Sequence, residues 1–571
     1  MVKRIALGVG ASLLLGIGGA QAQTAPGEAF AAAFFKEYFA LQPVQATNNG
    51  VHDYDRQLPD LSPAGRAAYD AMLARYAAQG QALKTDGWSV AQRDDLEYLI
   101  GAIKGYLLDD RQVRLLDKDP NVYLGLATDS VFGLIKRDFA SAPERLKSVI
   151  EREKQLPALL DAAPKEVTAP AHVYVEIAKA QIDDVVDFFR KDVPSAFTEV
   201  TDPTLRREFE AANQGTIAAL GRFKAYLVAT LPKASAPFAL GRALFQEKLA
   251  DEELVDLPVE RILEVGMADL RHNQQVARDA ARQIDPKKSV AQVLDEVRKD
   301  HVAPGKLLQE ARDQLADLRR FVIDRKIVTV KGDEQPIVAE TPPFLRATTF
   351  ASMDAPAALE QHARESYYFI TLPDPAWSPA KQEEYMLGYN TPLLQNVSVH
   401  EVWPGHFVQH LYDEADPGRS LVRKVLYANT TTEGWAHYTE QMMLDEGLGG
   451  NDPKQRLMQA IDALLRDARL VVGIRIHTQG MTLGEARRFF MDEGYQEPVV
   501  GEMETFRGTE DALYLYYTLG KLAILKLRED YRAKMGEHFS LLDFHDRFNQ
   551  AGLIPLKLIR RELLGSDGPL L

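Results

Sequence analysis

Strand signals are confined to one window of this chain, and that confinement limits its fold more than any other feature. Only residues 327–372 carry β-branched and aromatic runs of strand character: Ile327-Val328-Thr329-Val330, residues 346–350, and Tyr367-Tyr368-Phe369-Ile370-Thr371-Leu372. Elsewhere apolar residues recur at helical spacing. Leu146, Val149, Ile150, Leu156, Leu159 and Leu160 form one such series, and Pro157 within it predicts a kinked amphipathic helix. Ser62-Pro63 and Ala142-Pro143-Glu144 open helices with proline where the first turn has no N–H bond to lose. Residues 171–189, 205–228, 258–284 and 305–327 read as further helices, and Thr482-Leu483-Gly484-Glu485 is a capping box. The expected fold is mainly α, a large multi-helical body with a small sheet beside its site. A boundary near residue 330 would divide a helical scaffold (23–330) from a metal-site domain (331–571).

At the N-terminus, Lys3 and Arg4 precede an apolar run over 5–19 and the small-residue sequence Ala20-Gln21-Ala22, the order of a secretory signal peptide over 1–22. No later stretch supplies the roughly 20 apolar residues a spanning helix needs. The expected mature protein is periplasmic or secreted, without stable membrane insertion. The chain has no cysteine, which removes disulfides, thiolate ligands, a cysteine nucleophile and a lipid-bearing cysteine. Any metal must be held by His, Asp and Glu. A net charge of −15, from 82 acidic and 67 basic residues without a long basic run, argues against nucleic acid as a partner.

Four of the twelve histidines, His400, His406, His410 and His437, fall within 38 residues that also hold Glu401, Glu433 and Glu440. The segment His400-Glu401-Val402-Trp403-Pro404-Gly405-His406 is nearly HExxH, in which two imidazoles four residues apart meet one ion and the Glu polarises its water. Here position i+4 is Pro404, and a regular helix would turn His406 about 240° from His400. Pro404 breaks the helical bonding and Gly405 adds backbone freedom, so a widened turn is expected to bring His406 round. The undistorted pair His406 and His410 is the rival ligand set. Glu433, His437 and Glu440, at i, i+4 and i+7, share one helix face that can deliver one carboxylate to a metal and a second to hold an imidazole. Two imidazoles and a carboxylate, with a fourth position left to water, make a catalytic Zn2+ site. The expected ligands are His400, His406 and Glu433. Glu440, Gln409 and His437 support them, and Trp403 and Trp435 pack around them.

HEVWPGHFVQ followed by EGWAHYTEQ resembles the bacterial family called domain of unknown function eight-eight-five, whose pattern is HExxPGHxxQ and then EGWAxYxE. The likeness continues through Ala46-Thr47, Gly50, His52, Asp53 and Asp55, then Arg469-Leu470-Val471-Val472, His477, Gly480, Tyr517 and Gly520. The chain departs from it at Gly473-Ile474-Arg475, Met481 and Asp511-Ala512. The resemblance implies a zincin-like fold, distantly similar to helical zinc carboxypeptidases, and peptidase chemistry on short peptides. Glu401 is then the general base; His477 and Tyr517 are donors to the developing oxyanion; Arg469 either binds a substrate carboxylate or joins a buried ion pair. The same donor set also suits another hydrolase or an iron oxygenase, and a non-catalytic binding protein is the remaining class.

Overall fold

The computed structural model describes residues 26–342, 346 and 350–571. The expected signal peptide lies outside them, as does most of the strand expected at 346–350. Among the described residues no helix is long and apolar enough to cross a membrane.

The body is mainly helical, and its helices start where side chains can cap them. Ser62 accepts the Gly65 N–H ahead of Pro63–Gln81, and Thr482 and Glu485 form the expected capping box. The series from Leu146 to Leu160 is two helices, Ala142–Glu153 and Leu156–Glu166, with Pro157 in the first turn of the second. Nine helices position the site: α1 (Val259–Ile284), α2 (Leu307–Asp324), α3 (Thr391–Glu401), α4 (His406–Glu414), α5 (Asn429–Asp445), α6 (Pro453–Thr478), α7 (Pro498–Glu510), α8 (Tyr516–Met535) and α9 (Leu541–Gln550).

The sheet lies in the expected window with different bounds. Its strands are β1 (Ile337–Glu340), β2 (Ala351–Asp354) and β3 (Tyr367–Ile370), in the order β1-β3-β2. β1 pairs with β3 in parallel, Val338 opposite Tyr368; β2 runs antiparallel, Ser352 opposite Phe369. Ile327-Val328-Thr329-Val330 is not a strand. Ile327 and Val328 are buried in the core, and Asp546 on α9 accepts both the N–H and the hydroxyl of Thr329. A side chain thus takes the place of a neighbouring strand.

The largest core joins Phe34 and Tyr38 near the N-terminus to Leu315 and Leu318 of α2, Tyr368 of β3, and Val399, Trp403 and Trp435 around the site. Residues from both sides of position 330 therefore share one apolar interior. A second core gathers Leu124, Leu146, Phe189, Leu220 and Phe223 from the first half.

Candidate metal centre

α3 ends at Glu401 and α4 begins at His406, so the expected widened turn is a complete break. The Trp403–Pro404 peptide is cis. At Gly405 a Cβ would lie 1.6 Å from the His400 carbonyl oxygen, so only glycine fits where the chain turns back against its own helix end. Trp435 on α5 donates its indole N–H to the Pro404 carbonyl at 2.8 Å, tying the break to the second motif. Trp403 and Trp435 are both fully buried and belong to one apolar core around the site. α5 meets α8 backbone to backbone: a Cβ on Gly434 would come within 2.5 Å of the Gly520 Cα, and one on Gly520 within 2.0 Å of the Thr430 carbonyl oxygen. These contacts set Glu433 and Tyr517 side by side.

The outcome is convergence of His400, His406 and Glu433, whose nearest ligand atoms all lie within 4.8 Å of one another. Glu433 Oε2 is 3.4 Å from His400 Nε2 and 3.5 Å from His406 Nε2, and it is buried without a hydrogen bond. The two rings stand nearly perpendicular, 88° apart, with centroids at 4.9 Å. His400 Nδ1 donates to Glu440 Oε1 at 2.7 Å, and His406 Nδ1 donates to Gln409 Oε1 at 3.3 Å. Both rings thereby keep Nδ1 as the donor and leave Nε2 as the atom that faces Glu433. Two imidazole nitrogens and one orphaned, buried carboxylate oxygen fit a divalent ion such as zinc.

Electrostatics reflect this crowding. Burial alone would push the His400 imidazole down, but Glu433 and Glu440 outweigh it and raise it to about 9. His406 is raised for a like reason, with Glu433 dominant among its neighbours. Burial would raise the Glu433 carboxyl, and the two imidazoles more than reverse that.

His410 is absent from the cluster, which leaves the rival pair unformed. Burial, with Arg364 and Arg137 nearby, pushes its ring down to about 4. His437 donates from Nδ1 to the second oxygen of Glu440 at 3.2 Å and touches the cluster only through that carboxylate. Glu401 sits at the helix end with Oε2 accepting the Met353 N–H of β2 at 2.9 Å. Tyr517 is stacked on His400, centroids 6.4 Å apart, and burial with Glu433 nearby raises its phenol, so it stays a donor.

The role expected of His477 is corrected, and Arg469 takes the second of its two expected roles. His477 has both nitrogens committed to backbone: Nε2 donates to the Gly508 carbonyl at 2.9 Å and Nδ1 accepts the Leu240 N–H at 3.4 Å. It has no donor left for an oxyanion. Arg469 makes a bidentate pair with Glu504, 2.8 Å on each arm, and both side chains are buried, so its fork is closed to substrate. Arg466, 3.7 Å from Glu440 Oε1, went unnoticed in the sequence. Its only signal was its place one turn before Arg469 on α6.

A mainly α body with a His/His/Glu centre is the class that this fold and site define. The chain belongs to the bacterial proteins of unknown function grouped as DUF885, whose profile matches residues 43–563. Among solved structures it is similar to a candidate lipoprotein of unknown function from Shewanella oneidensis, 26% identical with a TM-score of 0.81 over 95% of this chain and 100% of that one. It is also similar to a candidate lipoprotein from Colwellia psychrerythraea, 17% identical with a TM-score of 0.75 over 94% of this chain and 98% of that one, a likeness of fold alone. No curated protein matches the chain.

Proposed function

We propose that this protein is an exported, zincin-like zinc hydrolase that cleaves short peptides. The observation that carries the reading is the convergence of His400 Nε2, His406 Nε2 and Glu433 Oε2, each facing the others without a hydrogen bond among the three. These three residues would hold the ion. When bound there, zinc supplies Lewis acidity, which favours deprotonation of water and polarises a carbonyl.

The remaining steps belong to side chains. Glu401, anchored at one oxygen by the Met353 N–H, uses its other oxygen to take a proton from the attacking water and return it to the leaving nitrogen. The new C–O bond forms as the C–N bond breaks, and the proton ends on the amine. Tyr517 donates its O–H to the carbonyl oxygen as negative charge builds there. Glu440 and Gln409 fix the imidazoles in the tautomers the ligand role requires. Export is supported by the N-terminal sequence and by likeness to candidate lipoproteins; with no cysteine to carry a lipid, release as a soluble protein is the form favoured.

The test is metal analysis of the purified protein together with hydrolysis of a short-peptide library by wild type and Glu401→Gln. The expected result is near-stoichiometric zinc in both, with turnover in the variant lowered by about 10²–10⁴-fold, the range for loss of a general base. Zinc without cleavage by wild type would overturn the peptidase reading, and a protein that binds no zinc would overturn the centre itself.

A further inference from the structure

With Arg469 closed by Glu504, α7 still carries a second guanidinium. Arg507, exposed near the end of α7, sits 4.8 Å from the centroid of the Tyr514 ring. Arg469 lies 4.6 Å from the same ring and 5.0 Å from the ring of Tyr517, which in turn stacks on His400. A line of rings and guanidinium groups thus runs from the metal centre to Arg507. The field of Arg507 reaches the Tyr517 phenol, as does that of Glu433.

The carboxylates around this line are held by other partners. Two guanidinium groups meet one tyrosine ring, and the carboxylate between them, Glu504, spends both oxygens on Arg469 and accepts the Tyr514 hydroxyl as well. Asp511, also within the field of Arg507, is bound by the Tyr516 hydroxyl at 2.8 Å and the Leu513 N–H at 3.1 Å. Glu510 shares that field but makes no ion pair with Arg507. Among the described residues Arg507 therefore has one ring beside it and no bound anion. A planar fork held on a ring, on an exposed residue linked to the centre through Tyr517, matches a carboxylate, the anion that a peptide carries at its end.

We propose that Arg507 receives the free terminal carboxylate of a peptide and so sets the last peptide bond at the His400–His406–Glu433 centre, making the protein a carboxypeptidase. This deepens the hydrolase reading and rests on it for the chemistry.

Two measurements on the zinc-loaded protein test it. The first compares kcat/KM for N-blocked dipeptides ending in a free acid or in an amide. Wild type should favour the acid at least tenfold; Arg507→Met should bring the ratio toward one, and Arg507→Lys, with charge but no fork, should lie between. The second is calorimetric titration with benzylsuccinate, whose two carboxylates span an ion and an arginine, expected to bind Arg507→Met at least tenfold more weakly. Peptide cleavage with no acid preference in wild type, or benzylsuccinate binding that is absent in wild type or unchanged in Arg507→Met, would overturn the anchor. Benzylsuccinate binding that depends on Arg507 in a protein that cleaves neither dipeptide would keep the anchor and overturn the peptidase reading instead.

Discussion

Two histidine–carboxylate clusters in this molecule invite comparison. At His52, Nδ1 is bound by Asp55 at 3.0 Å and Nε2 by Glu360 at 2.9 Å, while the ring stacks on Phe139. Asp55 also accepts the Thr47 hydroxyl, which is held by Arg152, and the other Glu360 oxygen takes the His362 N–H. Every polar atom there has a partner within the protein. At His400 and His406 only the Nδ1 side is satisfied, and the Nε2 atoms face a carboxylate oxygen without bonding it. The imidazole is raised by its carboxylates in both places, so titration does not separate them. What separates them is completeness: the His52 cluster is closed on itself, while Glu433 Oε2 at the other is buried without a hydrogen bond.

The sharpest way to break this contrast is Glu433→Ala, which should leave a protein that retains no zinc after dialysis and has no turnover; stoichiometric zinc in that variant would put the two clusters on the same footing. Acid supplies a second test. His437 and His477 are held down to about 4 and His545 to about 3, chiefly by burial. Below 6.5 the unfolded chain takes up protons that these folded rings refuse, so stability should fall as pH drops from 6.5 toward 4, by about 3 kcal/mol per residue at the limit. His400 in the zinc-free protein has the opposite sign: its added stability is complete below 6.5 and is lost as pH rises through about 9. Denaturant titrations across this range, with and without zinc, should show the alkaline loss only in the zinc-free form. A smaller effect is expected for Glu360→Ala, which opens the closed cluster and should cost about 2–3 kcal/mol of unfolding free energy while zinc content stays unchanged. The smallest is Gln409→Ala, expected to weaken zinc about tenfold in a chelator competition by freeing the His406 tautomer.

How much of this was legible in the sequence follows from the range of each interaction. Helices declared themselves through local periodicity and caps, and the ligand set through residue types clustered in two short motifs. The placement of His406 was half legible: Pro404 and Gly405 marked the distortion, but only the carbonyl pressed against Gly405 shows that the helix ends there. The run at 327–330 misled because its β-branched residues suit burial as well as pairing, and its partner, Asp546, lies more than two hundred residues on. His477 misled, and Arg469 was left between two roles, for a related reason. A residue type states what a side chain is able to bind, while Glu504 and the Gly508 carbonyl, which claim them, leave no periodic trace.

The glycine-to-glycine meeting of α5 and α8 also bears on motion. With no side chains between the two backbones at Gly434 and Gly520, the helices have nothing compressible at their crossing. They must travel as one rigid piece, carrying Glu433 and Tyr517 together. The contact between Met353 of the edge strand β2 and Glu401 is of another kind, a single hydrogen bond, so relative motion near the centre is expected there rather than between α5 and α8.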